Sequence, residues 1–108
     1  MPTLKELMQL PGAVAAGKFD GNGNLCAYTG DISEKAAEIA ALMAAANEAV
    51  ANLQAKGFSS YTGKEGFFPV QGFSVAAGKY AACIMGNYGV FVELDKADFD
   101  KIFETLAP

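Results

Sequence analysis

Tyr80-Ala81-Ala82-Cys83-Ile84-Met85-Gly86-Asn87-Tyr88-Gly89-Val90-Phe91-Val92-Glu93-Leu94 is the stretch that decides the fold. Strand-forming residues stand on both sides of Gly86-Asn87, a pair suited to a two-residue hairpin turn. Two antiparallel strands, over 80–85 and 88–94, are therefore expected near the end of the chain. Downstream, Phe99, Ile102, Phe103 and Leu106 recur at i, i+3, i+4 and i+7, which predicts a helix beginning at Asp95. Upstream, 67–76 reads as extended but irregular, because Pro69 lacks a donor and Gly72 weakens pairing.

A long helix precedes that sheet. Asp31 with Glu34 forms one capping box, Ser33 is a rival N-cap, and Gly57 after Lys56 supplies a stop. Over 33–56 the helix would be about 36 Å long at about 1.5 Å per residue. At about 100° per residue Ile32, Ile39, Leu42, Met43, Ala46, Val50 and Leu53 fall on one stripe, read as the core face. Between that stripe and a charged face runs a strip of Ala37, Ala40, Ala44, Ala51 and Ala55. Near the start of the chain, Thr3 and Glu6 form another capping box before Leu7 and Met8, and Pro11-Gly12 ends that short helix. Extended runs over 13–19 and 25–29 flank Asp20-Gly21-Asn22-Gly23-Asn24, a turn-rich segment that predicts a hairpin. Residues 58–66 read as a loop. The order is α-β-β-α-β-β-β-α, which predicts a single α+β domain over 1–108 with an antiparallel sheet.

Composition narrows the function. The 108 residues contain no His and no Trp, all eight basic residues are Lys, and the net charge is −4. Without His there is no Ser-His-Asp or Cys-His catalysis and few routes to zinc. Without Arg there are no bidentate phosphate clamps and no arginine finger. The acidic balance gives no electrostatic footprint for nucleic acid or anionic lipid. No apolar run approaches the roughly 18 residues of a membrane span, no signal layout stands at the start, and two isolated cysteines fit a reducing compartment. A cytoplasmic, non-enzymatic protein is expected, with no cofactor, metal, nucleic-acid or membrane partner.

Several motifs imitate sites. Gly12-Ala13-Val14-Ala15-Ala16-Gly17-Lys18 matches seven positions of a phosphate-binding loop, but Phe19 stands where Ser or Thr must hold magnesium. Asp20 to Asn24 imitates the start of a calcium loop, yet Leu25 replaces the glycine needed for the sharp turn. Cys26 and Cys83 sit in apolar strand runs without a nearby activating cation, and read as small hydrophobes. Asp95 and Asp98 complement a helix N-terminus.

The run Gly86 to Leu94 leading into the last helix, with Leu4-Lys5-Glu6-Leu7 and Pro11-Gly12-Ala13-Val14 at the other end, resembles the roadblock (dynein light chain) superfamily, and more narrowly an uncharacterised prokaryotic branch of it. The resemblance implies a five-stranded antiparallel sheet of roadblock/profilin-like architecture, with the long helix on one face and the terminal helices on the other. It also implies a homodimer, formed through the long helix and the strand after it, acting as a non-catalytic platform for a Ras-like small GTPase or another regulatory protein. Small side chains let a second helix approach closely, so the alanine strip is the expected dimer contact. Together the candidate interface is Ala37, Ala40, Ala44, Asn47, Ala51, Phe68 and Val70. The alternative is a small-molecule or redox-linked sensor with a pocket beside the sheet and Cys83 as its thiol.

Overall fold

The structure, a computed structural model, describes residues 2–108. Helix α1 (Leu4–Met8) is followed by strands β1 (Ala13–Phe19) and β2 (Leu25–Gly30), helix α2 (Glu34–Thr62), strands β3 (Gly72–Ala77), β4 (Tyr80–Met85) and β5 (Tyr88–Glu93), and helix α3 (Phe99–Leu106). One sheet of order β2-β1-β5-β4-β3 is antiparallel throughout. The expected order of elements is present, and the central pair joins the first strand of the chain to the last.

Local chemistry explains most boundaries. Thr3 Oγ1 accepts from the Glu6 N–H at 3.1 Å and starts α1, as the capping box predicts. Of the two rival caps for α2 it is Ser33 that serves, accepting from the Ala36 N–H at 3.1 Å. Both tight hairpins, β3–β4 and β4–β5, place glycine first, at Gly78 and Gly86, each with φ near +60°.

Three boundaries differ from the sequence reading. Helix α2 runs through Gly57 to Thr62, and Gly63, at φ +66°, is the residue that ends it. A glycine inside a helix costs about 1 kcal/mol, which does not outweigh the turn that follows it. There Thr62 Oγ1 donates to the Phe58 carbonyl, and the Phe58 ring lies 5.9 Å from that of Phe67. Strand β3 starts at Gly72, so Phe68, Pro69 and Val70 lie in the connection before it and β3 contains no proline. The last helix is capped by Asp98 rather than Asp95, because Leu94–Lys96 forms a short 3-10 turn first.

The sheet divides the interior in two. On one face Leu7 and Leu10 from the start of the chain pack with Ile102 and Leu106 of α3 over Ala16, Ala81, Cys83, Val90 and Val92. On the other face Ala41 and Ala44 of α2 pack on Phe19, with Leu25 and Ile84 around them. The terminal helices and the long helix thus take opposite faces, as expected.

Candidate functional site: the long helix and the open half of the sheet

Helix α2 meets the sheet through its smallest side chains. Ala37, Ala41, Ala44 and Ala55 are buried, and Ala41 and Ala44 pack on Phe19, with Leu25 and Ile84 beside it. The large aliphatic side chains lie outside that contact. Ile39, Leu42, Met43, Val50 and Leu53 are between 52% and 73% exposed. The sequence reading turns this helix the wrong way, with the long aliphatics inward and the alanine strip outward. The reason is the floor. Phe19, Leu25 and Ile84 rise from the sheet under α2, and against side chains of that size the helix packs closely only through alanine.

This rotation redistributes the candidate interface. Ala37 and Ala44 lie inside the molecule, Ala40 and Ala51 are half-buried on the flank of the helix, and Asn47 is exposed. Ala44, the expected centre of a helix–helix contact, is 4% exposed and cannot meet a second helix without unfolding. Phe68 is exposed under the Lys56 ammonium, which sits 4.9 Å from its ring centre. The Val70 N–H donates to Asn52 Oδ1 at 2.9 Å and ties the connection to α2. The stripe that the sequence assigns to the core is the exposed row, with Val75 and Tyr80 of the neighbouring strands also open.

Where α2 crosses the sheet it leaves an apolar hollow of about 350 Å³. Ile39, Met43 and Asn47 form its helix side, and Val75, Ala82 and Phe91 its floor. No carboxylate and no lysine lines it. Tyr28 and Asn47 are the polar side chains of this lining, and the rest of it is apolar.

The tempting motifs are structural. Lys18 lies within β1, not at the start of a helix, and its ammonium stands 5.7 Å from the centre of the Tyr88 ring. The Asp20 carboxylate accepts from the Asn22 and Asn24 N–H groups at 2.9 Å each and from Asn24 Nδ2 at 3.0 Å. Those bonds, chiefly that from the Asn24 backbone, hold its pKa below the ordinary carboxylate value. Burial raises the pKa of the Cys83 thiol, which the Ser74 hydroxyl at 3.5 Å only partly opposes. Cys26 is exposed on β2, with two strands separating it from Cys83 on β4, too far for a disulfide. Among the described residues no cluster of three or more acidic or cysteine side chains is arranged to hold a metal, and no helix is long and apolar enough to cross a membrane.

An antiparallel five-stranded sheet with one long helix on one face and two short ones on the other is the fold of Roadblock/LC7 domains. The Roadblock/LC7 domain of Streptomyces avermitilis superposes with a TM-score of 0.78 at 12% identity, over 94% of this chain and 82% of that one. The gliding protein MglB of Thermus thermophilus gives 0.73 at 16% identity, over 94% and 76%. Myxococcus xanthus MglB gives 0.62 at 17% identity, over 93% and 85%. By sequence, residues 3–108 match the family described as Uncharacterized conserved protein (DUF2173), and the chain belongs to that family. No curated protein sequence matches it.

Proposed function

We propose that this protein is a homodimeric, non-catalytic regulatory module that presents a surface to a Ras-like small GTPase or a comparable regulatory protein. The observation that carries the reading is the row Ile39, Met43, Val50 and Leu53, exposed beside an open strip of sheet at Val75 and Tyr80. Isolated exposed leucines are ordinary, but a contiguous row along one helix marks an interface. Strand β3, next to that row, is an edge of the sheet, and its residues Gly72–Ala77 include no charged residue and no proline to discourage pairing. A twofold arrangement in which α2 and β3 meet their own copies covers the helix row and the free edge together. Asn47 lies at the margin of that contact, with Ala40 and Ala51 behind it.

The regulatory part of the reading rests on the roadblock fold and on a chain without His or Arg, whose hollow beside α2 is lined mainly by apolar groups. The test is light scattering of the full chain together with Met43→Glu. The wild type should have twice the mass of a monomer, and Met43→Glu should be a folded monomer of 11.2 kDa. A monomeric wild type, or a variant that stays dimeric with unchanged stability, overturns the interface. Titration with Ras-like GTPases loaded with GDP or a GTP analogue tests the partner separately. Binding that depends on the nucleotide supports it, and an intact dimer that binds none of them overturns the GTPase and leaves the dimer standing.

A further inference from the structure

The opposite edge of the sheet has a surface that self-association through α2 and β3 does not use. Strand β2 pairs with β1 alone, so every second residue turns its N–H and C=O outward. Natural edges are protected by lysines, prolines or bulges. In β2, Leu-Cys-Ala-Tyr-Thr-Gly, there is no charge and no proline, and the one irregularity of pairing falls at its beginning, opposite Lys18 and Phe19. From Cys26 to Gly30 the strand is exposed along its length.

Above this edge lies a groove of about 550 Å³, between β2 and the first turns of α2. Cys26 and Tyr28 form its strand side, and Glu34 and Glu38, one helical turn apart, form its helix side. Gly23 closes one end by packing against Leu42. A Cβ there would come within 3.1 Å of the Leu42 Cα. No lysine lines the groove, and neither glutamate makes an ion pair among the described residues. Unpaired backbone groups beside a helix that carries two free carboxylates fit one kind of occupant.

We propose that the β2 edge takes an extended lysine- or arginine-bearing segment of a partner protein as a sixth strand. Main-chain hydrogen bonds to β2 would hold the segment, and its alternate side chains would point up toward Glu34 and Glu38. A second copy of this chain is the poorer occupant, because its own β2 offers no basic residue and its net charge of −4 matches in sign. Nucleic acid is repelled by the same carboxylates.

A fluorescein-labelled octapeptide of alternating lysine and valine, titrated into the full chain by anisotropy, tests the site. Binding should saturate, fail when glutamate replaces the lysines, and fail when alternate peptide nitrogens are methylated. The Glu34→Gln/Glu38→Gln variant, its fold checked by circular dichroism, should bind roughly five- to tenfold more weakly, as the loss of two partly exposed charge pairs implies. Bound peptide should slow alkylation of Cys26, with the buried Cys83 as an internal control. Met43→Glu should bind the peptide as the wild type does, which separates this edge from the dimer contact. Absence of saturable binding, full binding by the glutamine variant, an unprotected Cys26, or loss of binding in Met43→Glu overturns the proposal. So does a tetramer in which Cys26 is already protected without peptide, since the edge then holds a second copy.

Discussion

Gly17 and Gly89 stand directly opposite each other across the central strand pair, under the buried face of α2. Neither has a helix atom among the nearest neighbours of where a Cβ would stand, and both line the apolar hollow that α2 leaves on the sheet, whereas Ala41 and Ala44 rest on Phe19. A methyl group at Gly17 would still find ordinary spacing, 3.5 Å to the Ala27 carbonyl and 3.9 Å to Leu25 Cδ1. Gly72 has no such room, since a Cβ there would come within 2.7 Å of the Ile84 carbonyl oxygen. Gly17→Ala should therefore leave the melting temperature unchanged or raise it by an amount worth about 0.4–1 kcal/mol. Gly72→Ala should lower it, and equal melting curves for the two would show that the sheet is not built as described.

Adjacent positions on α2 should respond in opposite ways to the same substitution. Ala44→Glu puts a carboxylate against Phe19 with no partner, a change expected to destabilise the fold by several kcal/mol. Met43→Glu puts it into solvent and should cost less than about 1 kcal/mol once dimerisation is accounted for. Urea denaturation of both variants, analysed at several protein concentrations, gives the comparison.

That opposition shows how far the sequence could be read. The turns were legible: Gly86-Asn87 and Asp20 to Asn24 fixed the hairpins, and with them the order of elements and the fold class. The long helix was legible as a helix but not in its rotation about its own axis. A stripe of Ile39, Met43 and Val50 reports that something apolar covers it, and periodicity does not distinguish the chain's own core from a neighbour. Size favoured the long side chains for the interior. The deciding fact, that Phe19 and Leu25 of the first hairpin meet Ile84 of β4 under the helix, depends on how distant strands are brought together in one sheet, which no local pattern carries. Ala37, Ala44 and Ala55 of the alanine strip are accordingly inside, Ala40 and Ala51 are half-buried on the flank, and the aliphatic row expected inside is at the surface.

The two thiols should separate cleanly in a kinetic experiment. Cys26 is exposed, whereas Cys83 is buried with its pKa raised by desolvation. Iodoacetamide at neutral pH should add one label rapidly, located at Cys26 by peptide mapping. A second label should appear only as denaturant opens the fold. Rapid double labelling of the native protein would contradict the packing around Val90 and Val92.

Asp20 gives a dependence on acidity with a definite sign. Its pKa in the folded protein lies below the ordinary value of 3.8, mainly through the hydrogen bonds from Asn24. The ionised carboxylate therefore stabilises the fold above the unfolded pKa near 4, and this contribution is lost as the pH falls through the lower folded value. Asp20→Ala should reduce stability at pH 7 and lie closer to the wild type at pH 2. Parallel curves for the two proteins from pH 7 to pH 2 would show that the β1–β2 turn does not depend on that charge.

The pairing of β1 with β5 has a consequence in time as well as in space. The hairpins β3–β4 and β4–β5 close over short stretches of chain, whereas the central ladder joins segments from opposite ends of it. Local contacts form before distant ones, because closing a long loop is entropically slower. On a ribosome, β1, β2 and the whole of α2 emerge before the strand that completes their sheet. The alanine face of the helix can already seat on Phe19 and Leu25, but until β5 arrives β1 has a partner on one side only and leaves the other ladder open. The first strand of this protein thus spends its synthesis as an open edge that only the last strand closes.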